Sequence, residues 1–263
     1  QYLVHGGAAN AAEFLNFAAR LVGHAGEYQE PRPLPRAGIH GFDSLAAARA
    51  TWKPDRPLAA LVFYRALVQA GDTDAVAALT AALDRAGLNA LPLYVASLKD
   101  PVAAETIERV LSEAPPDVVL AATAFAATGA DGTVPFARFD CPVLQVVFAA
   151  ETRAAWDAGA RGLGPRDLAM HVALPEVDGR VLTRAVAFKG EPVRDDLPQA
   201  EVRRLLPDTN RCAFVADQAA RWARLRRLAP AQRRVLLVLA NYPNRDGRMA
   251  NGVCLDTPAS AVA

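Results

Sequence analysis

Apolar side chains between Ala8 and Val22 fall at Phe14, Leu15, Ala18, Leu21 and Val22, the spacing of one helical face, and Gly23 follows where a helix would stop. Pro31, Pro33, Pro35, Gly38 and Gly41 then predict an extended connector, with a short helix between Ser44 and Trp52. From Leu58 the pattern turns regular. Leu58 to Tyr64 is an apolar run of strand length, and after Arg65 comes a helix carrying Val76, Leu79 and Leu83 on one side and closed by Gly87. Leu88 to Val95 reads as a second strand despite Pro92, and Asp100-Pro101 supplies a cap with proline at the first helical position before Val102 to Ser112. Asp117 to Thr123 and Pro142 to Phe148 are a third and a fourth strand, the last preceding a helical stretch from Thr152 to Ala158. Continuous apolar strands alternating with helices imply an α/β, doubly wound, mostly parallel sheet covered on both faces, of flavodoxin-like or binding-protein-like topology.

Past Gly159, Gly162, Gly164 and Pro165 the register changes. Leu168 to Leu174 and Arg180 to Phe188 read as strands joined by Pro175-Glu176-Val177-Asp178-Gly179, a β-hairpin excursion. A helix from about Arg211 to Leu228 carries Phe214, Val215, Trp222 and Leu225, and Val235 to Ala240 reads as one more buried strand before a glycine-containing loop and a helix start at Thr257-Pro258. A strand, loop and helix start with no strand after them predict the truncated beginning of a second α/β module. The expected division is therefore an N-terminal helix and connector (1–56), an α/β domain with a β excursion (57–232) and the start of the second module (233–263).

Composition narrows the function classes. Apolar residues make up 52% and charged ones 22% of 263 positions, a globular balance, and the net charge of +1 offers no field for a nucleic-acid backbone or an anionic membrane. Cys141, Cys212 and Cys254 are odd in number and widely separated, so neither a disulfide framework nor a cysteine zinc site is indicated, and a cytoplasmic setting fits.

No phosphate loop is visible: Gly247 to Gly252 has the right spacing but is followed by Val253 and Cys254 rather than Lys-Ser/Thr. Neither a dinucleotide fingerprint nor G-x-S-x-G occurs. In open α/β sheets ligands lie beyond the carboxyl ends of the strands, which singles out Arg65, Ser97, Lys99, Phe125 and Glu151 as residues able to line one crevice. Of the four histidines, His171 stands out, with Glu176 and Asp178 in the connection after it, although no pair has the spacing of a preformed metal site. Nine arginines between Arg203 and Arg234 face only Asp208 and Asp217, a solvated helix face or a docking surface for an acidic partner.

The string Val238-Leu239-Ala240-Asn241-Tyr242-Pro243-Asn244-Arg245-Asp246-Gly247-Arg248, continued by Asn251-Gly252-Val253 and Leu255-Asp256-Thr257-Pro258-Ala259-Ser260, resembles the CobN family of cobaltochelatase large subunits. His5-Gly6-Gly7, Phe63-Tyr64-Arg65, Ser97-Leu98-Lys99-Asp100, Ala122-Thr123-Ala124-Phe125-Ala126 and Leu168-Ala169-Met170-His171-Val172 resemble it in order along the chain. Leu174-Pro175-Glu176-Val177-Asp178-Gly179 does so too, and a similar L-P-E-x-D-G occurs in the related magnesium chelatase large subunit. Cys254 stands where the family usually has glycine.

The resemblance implies an N-terminal portion of a longer subunit that inserts Co²⁺ into hydrogenobyrinic acid a,c-diamide, with separate AAA+ type subunits hydrolysing ATP. It makes Glu176 the expected carboxylate that takes a ring proton, His171 a transient cobalt ligand, and Arg65, Lys99, Phe125 and Glu151 the expected substrate-binding residues. The alternatives are a magnesium chelatase acting on protoporphyrin, a small-molecule binding module without chemistry, and a scaffold for the ATPase subunits.

Overall fold

The computed structural model describes residues 1–129, 132–196, 199–238 and 257–262. A single turn, α1 (Tyr2–His5), and the expected N-terminal helix, α2 (Ala8–Leu21), are joined by two glycines at positive φ. Gly6 is required by space as well as by its φ of +65°, since a Cβ there would meet the Gln69 carbonyl oxygen at 2.5 Å. Asn10, buried in α2, donates to the carbonyls of Gly6 and Arg32 and accepts from the Arg32 amide, so the proline-rich connector is laced to the helix. Of the apolar face read from the sequence, Phe14 meets Tyr2 while Leu15, Leu21 and Val22 remain exposed. The connector continues into β1 (Ala37–Ile39) and α3 (Leu45–Arg49), capped by Ser44 Oγ accepting from the Ala47 amide.

The regular part follows the predicted alternation: β2 (Leu58–Tyr64), α4 (Arg65–Ala70), α5 (Asp74–Arg85), β3 (Asn89–Val95), α6 (Pro101–Glu113), β4 (Val118–Ala122), β5 (Val143–Thr152) and α7 (Arg153–Ala158). Asp100 caps α6 as expected, accepting from the Ala103 amide at 3.0 Å. With β6 (Val181–Lys189) and β9 (Leu205–Pro207), seven strands form one mixed, mostly parallel sheet in the order β1-β3-β2-β4-β5-β6-β9, with antiparallel strands only at its two edges. Leu61 and Phe63 point to a core closed by α5 and the long α10 (Thr209–Arg227), while Ala60 and Val62 face α6. Burial on both faces explains why β2 reads as unbroken hydrophobics rather than alternating ones. Pro92 is tolerated inside β3 because its nitrogen faces the edge strand β1 rather than β2: its carbonyl accepts from the His40 amide, and the ladder to β1 stops there for want of the return donor, just past that strand's last residue.

One expected strand is a helix. Residues 168–174 lie in α8 (Pro165–Leu168), a π-helical turn (Ala169–Ala173) and α9 (Leu174–Glu176). Leu168, Met170, Val172 and Leu174 satisfy period two, but a short apolar run does not separate strand from helix. Gly164-Pro165 starts the helix, with proline at its first turn. The 175–179 segment is consequently no hairpin. It is a helix end that turns at Gly179, φ +71°, into β6 (Val181–Lys189), which joins the sheet parallel to β5. The β excursion comes later, as the hairpin β7 (Val193–Asp195) and β8 (Ala200–Val202) and the antiparallel edge β9 (Leu205–Pro207).

The chain divides into two compact units, Gln1–Arg227 and Leu228–Ala263. In the second, the strand expected over 235–240 is not formed at Val235 to Val238, which are exposed and without a strand partner among the described residues. Residues 239–240 and the loop over 241–256, Cys254 included, lie outside the described residues, and the expected helix start appears as α11 (Thr257–Val262).

Leu61→Ala removes a fully buried side chain from the middle of the sheet. Urea denaturation of this variant is expected to lose about 2–5 kcal/mol relative to the parent.

Candidate functional site

Among the five parallel strands the order is β3-β2-β4-β5-β6, so the chain leaves β2 toward one edge and resumes on its other side. The reversal opens a crevice beyond the carboxyl ends of β2 and β4. A cavity of about 200 Å³ lies there, lined by Tyr64, Ser97, Lys99, Thr123 and Phe125. It shares Leu98, Lys99 and Ala127 with a larger cavity of about 790 Å³ between α6 and the β4–β5 connection, whose walls include Ile107, Val134, Phe136 and Phe139. An Arg138–Glu108 ion pair of 2.5 Å belongs to the same wall. The larger space falls in the range of small-molecule sites, roughly 300–1,000 Å³.

Three of the residues expected in one crevice, Ser97, Lys99 and Phe125, are brought together there. Lys99 is exposed and borders both cavities, and Phe125 stands at the end of β4 with φ +64°, 47% exposed. A bulky residue in the left-handed region is a costly conformation, held here by its amide donating to the Met170 carbonyl at 2.8 Å. Arg65 is turned elsewhere: its guanidinium donates to the carbonyls of Leu34 and Pro35, both at 2.9 Å, and fastens the connector. Glu151 accepts from the Gly164 amide at 3.2 Å and steadies the start of α8. Glu176 ends α9 with an exposed side chain.

Two residues on, Asp178 is a buried acid, marked in the sequence only by its place in the connection after His171. Its carboxylate accepts from the amides of Ala127 (2.8 Å) and Thr128 (2.9 Å), from Thr128 Oγ1 (2.6 Å) and from Arg180 at 2.7 Å. Arg180 in turn donates to Thr123 and to Gln145 Oε1, and Gln145 Nε2 donates to the Thr123 carbonyl. Burial would raise the Asp178 carboxyl, but the hydrogen bonds from Thr128 and Ala127 and the Arg180 charge outweigh it and hold it below the ordinary carboxylate range. Burial lowers Arg180, opposed by Asp178, and Arg180 Nε is buried without a hydrogen-bond partner. Tyr64 completes the arrangement: its phenol both donates to the Ala124 carbonyl and accepts from the Ala124 amide at 3.0 Å, across the reversal point. The sequence signal for this network is an Asp-x-Arg immediately before the apolar run of β6.

His171 lies in the π-helical turn, its side chain 12% exposed, with Nε2 3.8 Å from Asp167 Oδ1 and Nδ1 buried and unpartnered. Burial lowers its pKa, partly opposed by Asp167, so the imidazole is neutral at pH 7. Among the described residues no group of three His, Cys, Asp or Glu side chains is placed to hold a metal ion. Burial pushes the thiols of Cys141 and Cys212 up to about 11, which leaves them protonated. Much of the arginine-rich stretch works inside the fold: Arg227 grips Asp117 through two 2.8 Å bonds, and Arg211 lies over Trp156 at 4.7 Å. No described helix is long and apolar enough to cross a membrane.

All of the chain, residues 1–263, matches the family described as CobN/Magnesium Chelatase. The chain is 47% identical over 277 residues to an aerobic cobaltochelatase subunit CobN of a Sinorhizobium species, covering 99% of this chain and 22% of that protein. It is 43% identical over 269 residues to its counterpart in Pseudomonas aeruginosa, covering 100% of this chain and 22% of that protein. Among solved structures, the catalytic subunit of cobaltochelatase from Mycobacterium tuberculosis superposes with a TM-score of 0.78 at 34% identity, over 99% of this chain and 22% of its own. The chain thus spans about a fifth of the length of these relatives.

His171 and His40 are both held below the usual imidazole value of 6.5 by burial. The folded form then binds fewer protons than the unfolded chain, so the stability these residues confer is present above pH 6.5 and is lost as pH falls below it. Thermal melts between pH 7.5 and 5.5 are expected to drop, and His171→Gln to drop less.

Proposed function

Because the chain belongs to the CobN/magnesium chelatase family, we propose that it forms part of the tetrapyrrole-holding body of a cobaltochelatase large subunit. The reaction it serves is insertion of Co²⁺ into hydrogenobyrinic acid a,c-diamide during cobalamin synthesis, in the cytoplasm, with separate AAA+ type subunits hydrolysing ATP. The observation that carries this reading is the pair of adjoining cavities at the strand ends, apolar along the larger one and bordered by Lys99 and Phe125. The order of the parallel strands supports a flavodoxin-like topology, in which the reversal point is the natural place for a ligand. The cobalt branch is favoured over the magnesium branch by identity, 47% and 43% to the two cobaltochelatase subunits against 26% to a magnesium chelatase subunit that covers 91% of the chain.

Metal insertion asks two things of a protein: the ion must shed water, and the ring must give up its inner N–H protons. Lys99 would pair with a carboxylate arm of the ring and Phe125 would lie against its apolar face. Glu176, exposed at the end of α9, is the proton acceptor, and His171, neutral by burial, is the form of imidazole that ligates a first-row ion. Arg65 and Glu151 then serve the ring indirectly, by holding the connector and the Gly164 turn.

A scaffold reading, in which this part docks partner subunits, draws on the exposed apolar side chains Leu3, Val4, Leu15, Leu21 and Val22 of α1 and α2. Absorbance titration of the full-length subunit with the ring separates the two, because a scaffold gives no spectral change. On the proposed reading Lys99→Ala weakens ring binding by about tenfold or more, the worth of one charge-assisted hydrogen bond. Glu176→Gln in the assembled enzyme is expected to slow insertion without weakening the ring complex, and a wild-type rate would refute its role.

A further inference from the structure

Two loops with different jobs meet at one ion pair. The backbone from Thr123 to Thr128 is the partition between the two cavities: Thr123 to Ala127 line the smaller, Ala127 and Thr128 the larger. Both ends of that partition are bound to side chains from the turn before β6. At the far end Asp178 receives the Ala127 and Thr128 amides and the Thr128 hydroxyl, and at the near end Arg180 donates to the Thr123 carbonyl and hydroxyl at 3.2 and 3.1 Å. The two side chains are joined at 2.7 Å and are each 1% exposed. Phe125 sits between the two anchor points in its left-handed conformation, presented outward.

A pair buried this deeply is a poor source of net stability, because desolvation of both charges offsets their attraction, and an unpartnered Arg180 Nε adds to the cost. What the pair does supply is direction, since a carboxylate and a guanidinium accept and donate along fixed lines. It also ties the motif together: Asp178 faces inward to the partition while Glu176, two residues earlier, faces out. We infer that Asp178 and Arg180 are positioning residues for the tetrapyrrole crevice, fixing the 123–128 partition and with it the placement of Phe125. This rests on the tetrapyrrole reading above.

The test uses the full-length subunit with its ATPase partners and hydrogenobyrinic acid a,c-diamide as the probe. Thr128→Val removes one bond to Asp178 without uncovering a charge. The double change Asp178→Asn with Arg180→Gln removes both charges together, so that neither is left buried alone. For the double variant, folded and melting near the parent temperature, amide exchange at Ala127 and Thr128 is expected to quicken by about tenfold or more. Its KM for the ring rises by a similar factor, with kcat nearly unchanged. Thr128→Val shifts both in the same direction by a smaller factor. A contribution to stability alone would move the melting temperature and leave the KM-to-kcat split untouched. Wild-type ring KM in a folded double variant overturns the inference; if the double variant does not fold, unchanged exchange and KM in Thr128→Val overturn it. A parent subunit that fails to bind the ring overturns the tetrapyrrole reading itself, an outcome told apart because in the former cases the parent binds.

Discussion

A parallel sheet has to be covered on both faces, and that constraint organises this molecule. β2 is buried along nearly its whole length, with α5 and α10 over one face and α6 over the other, so polar groups are excluded from the strands and collect where the strands end. Reversal of the strand order beside β2 then leaves the carboxyl ends of β2 and β4 without a crossing connection between them, and the side chains that emerge there converge. The candidate site is in this sense a by-product of burying the sheet: Tyr64, Ser97, Lys99, Thr123 and Phe125 meet because each follows an apolar run.

That logic is also why so much could be read from residue order. Apolar runs bounded by signals such as Gly87 and Asp100-Pro101 marked four strands and their helices, since caps and breakers act locally. Lys99 and Phe125 were found by position alone. The reading failed where local pattern is ambiguous or the partner is remote. Leu168 to Leu174 fits both periods, and helix was selected by the Gly164-Pro165 start together with Asp167, which accepts from the Ala150 amide at 2.7 Å across a gap of 17 residues. The network of Asp178 and Arg180 was out of reach for a similar reason, because their partners at Ala127, Thr128 and Gln145 lie 35 to 51 residues away in sequence. Arg65 was correctly placed at a strand end, yet its guanidinium turns back to carbonyls of the connector that composition marked only as extended.

The L-P-E-x-D-G segment illustrates how one short motif divides its labour. Proline is buried, glycine takes the left-handed turn, and the two acids face opposite ways, Asp178 to backbone amides and Glu176 to solvent. The distinction is invisible in the string, where both are carboxylates, and follows only from where the chain turns into β6.

Two of the thiols carry a consequence of a different kind. With Cys141 and Cys212 shifted to about 11, the thiolate fraction of each at pH 7 is roughly one in ten thousand. Thiolate, rather than thiol, is the form that attacks disulfides and electrophiles and ligates soft metal ions. Cys212 in the interior and Cys141, half-buried against the core, are thereby held as apolar filler that stays unreactive at neutral pH for as long as the packing around them holds.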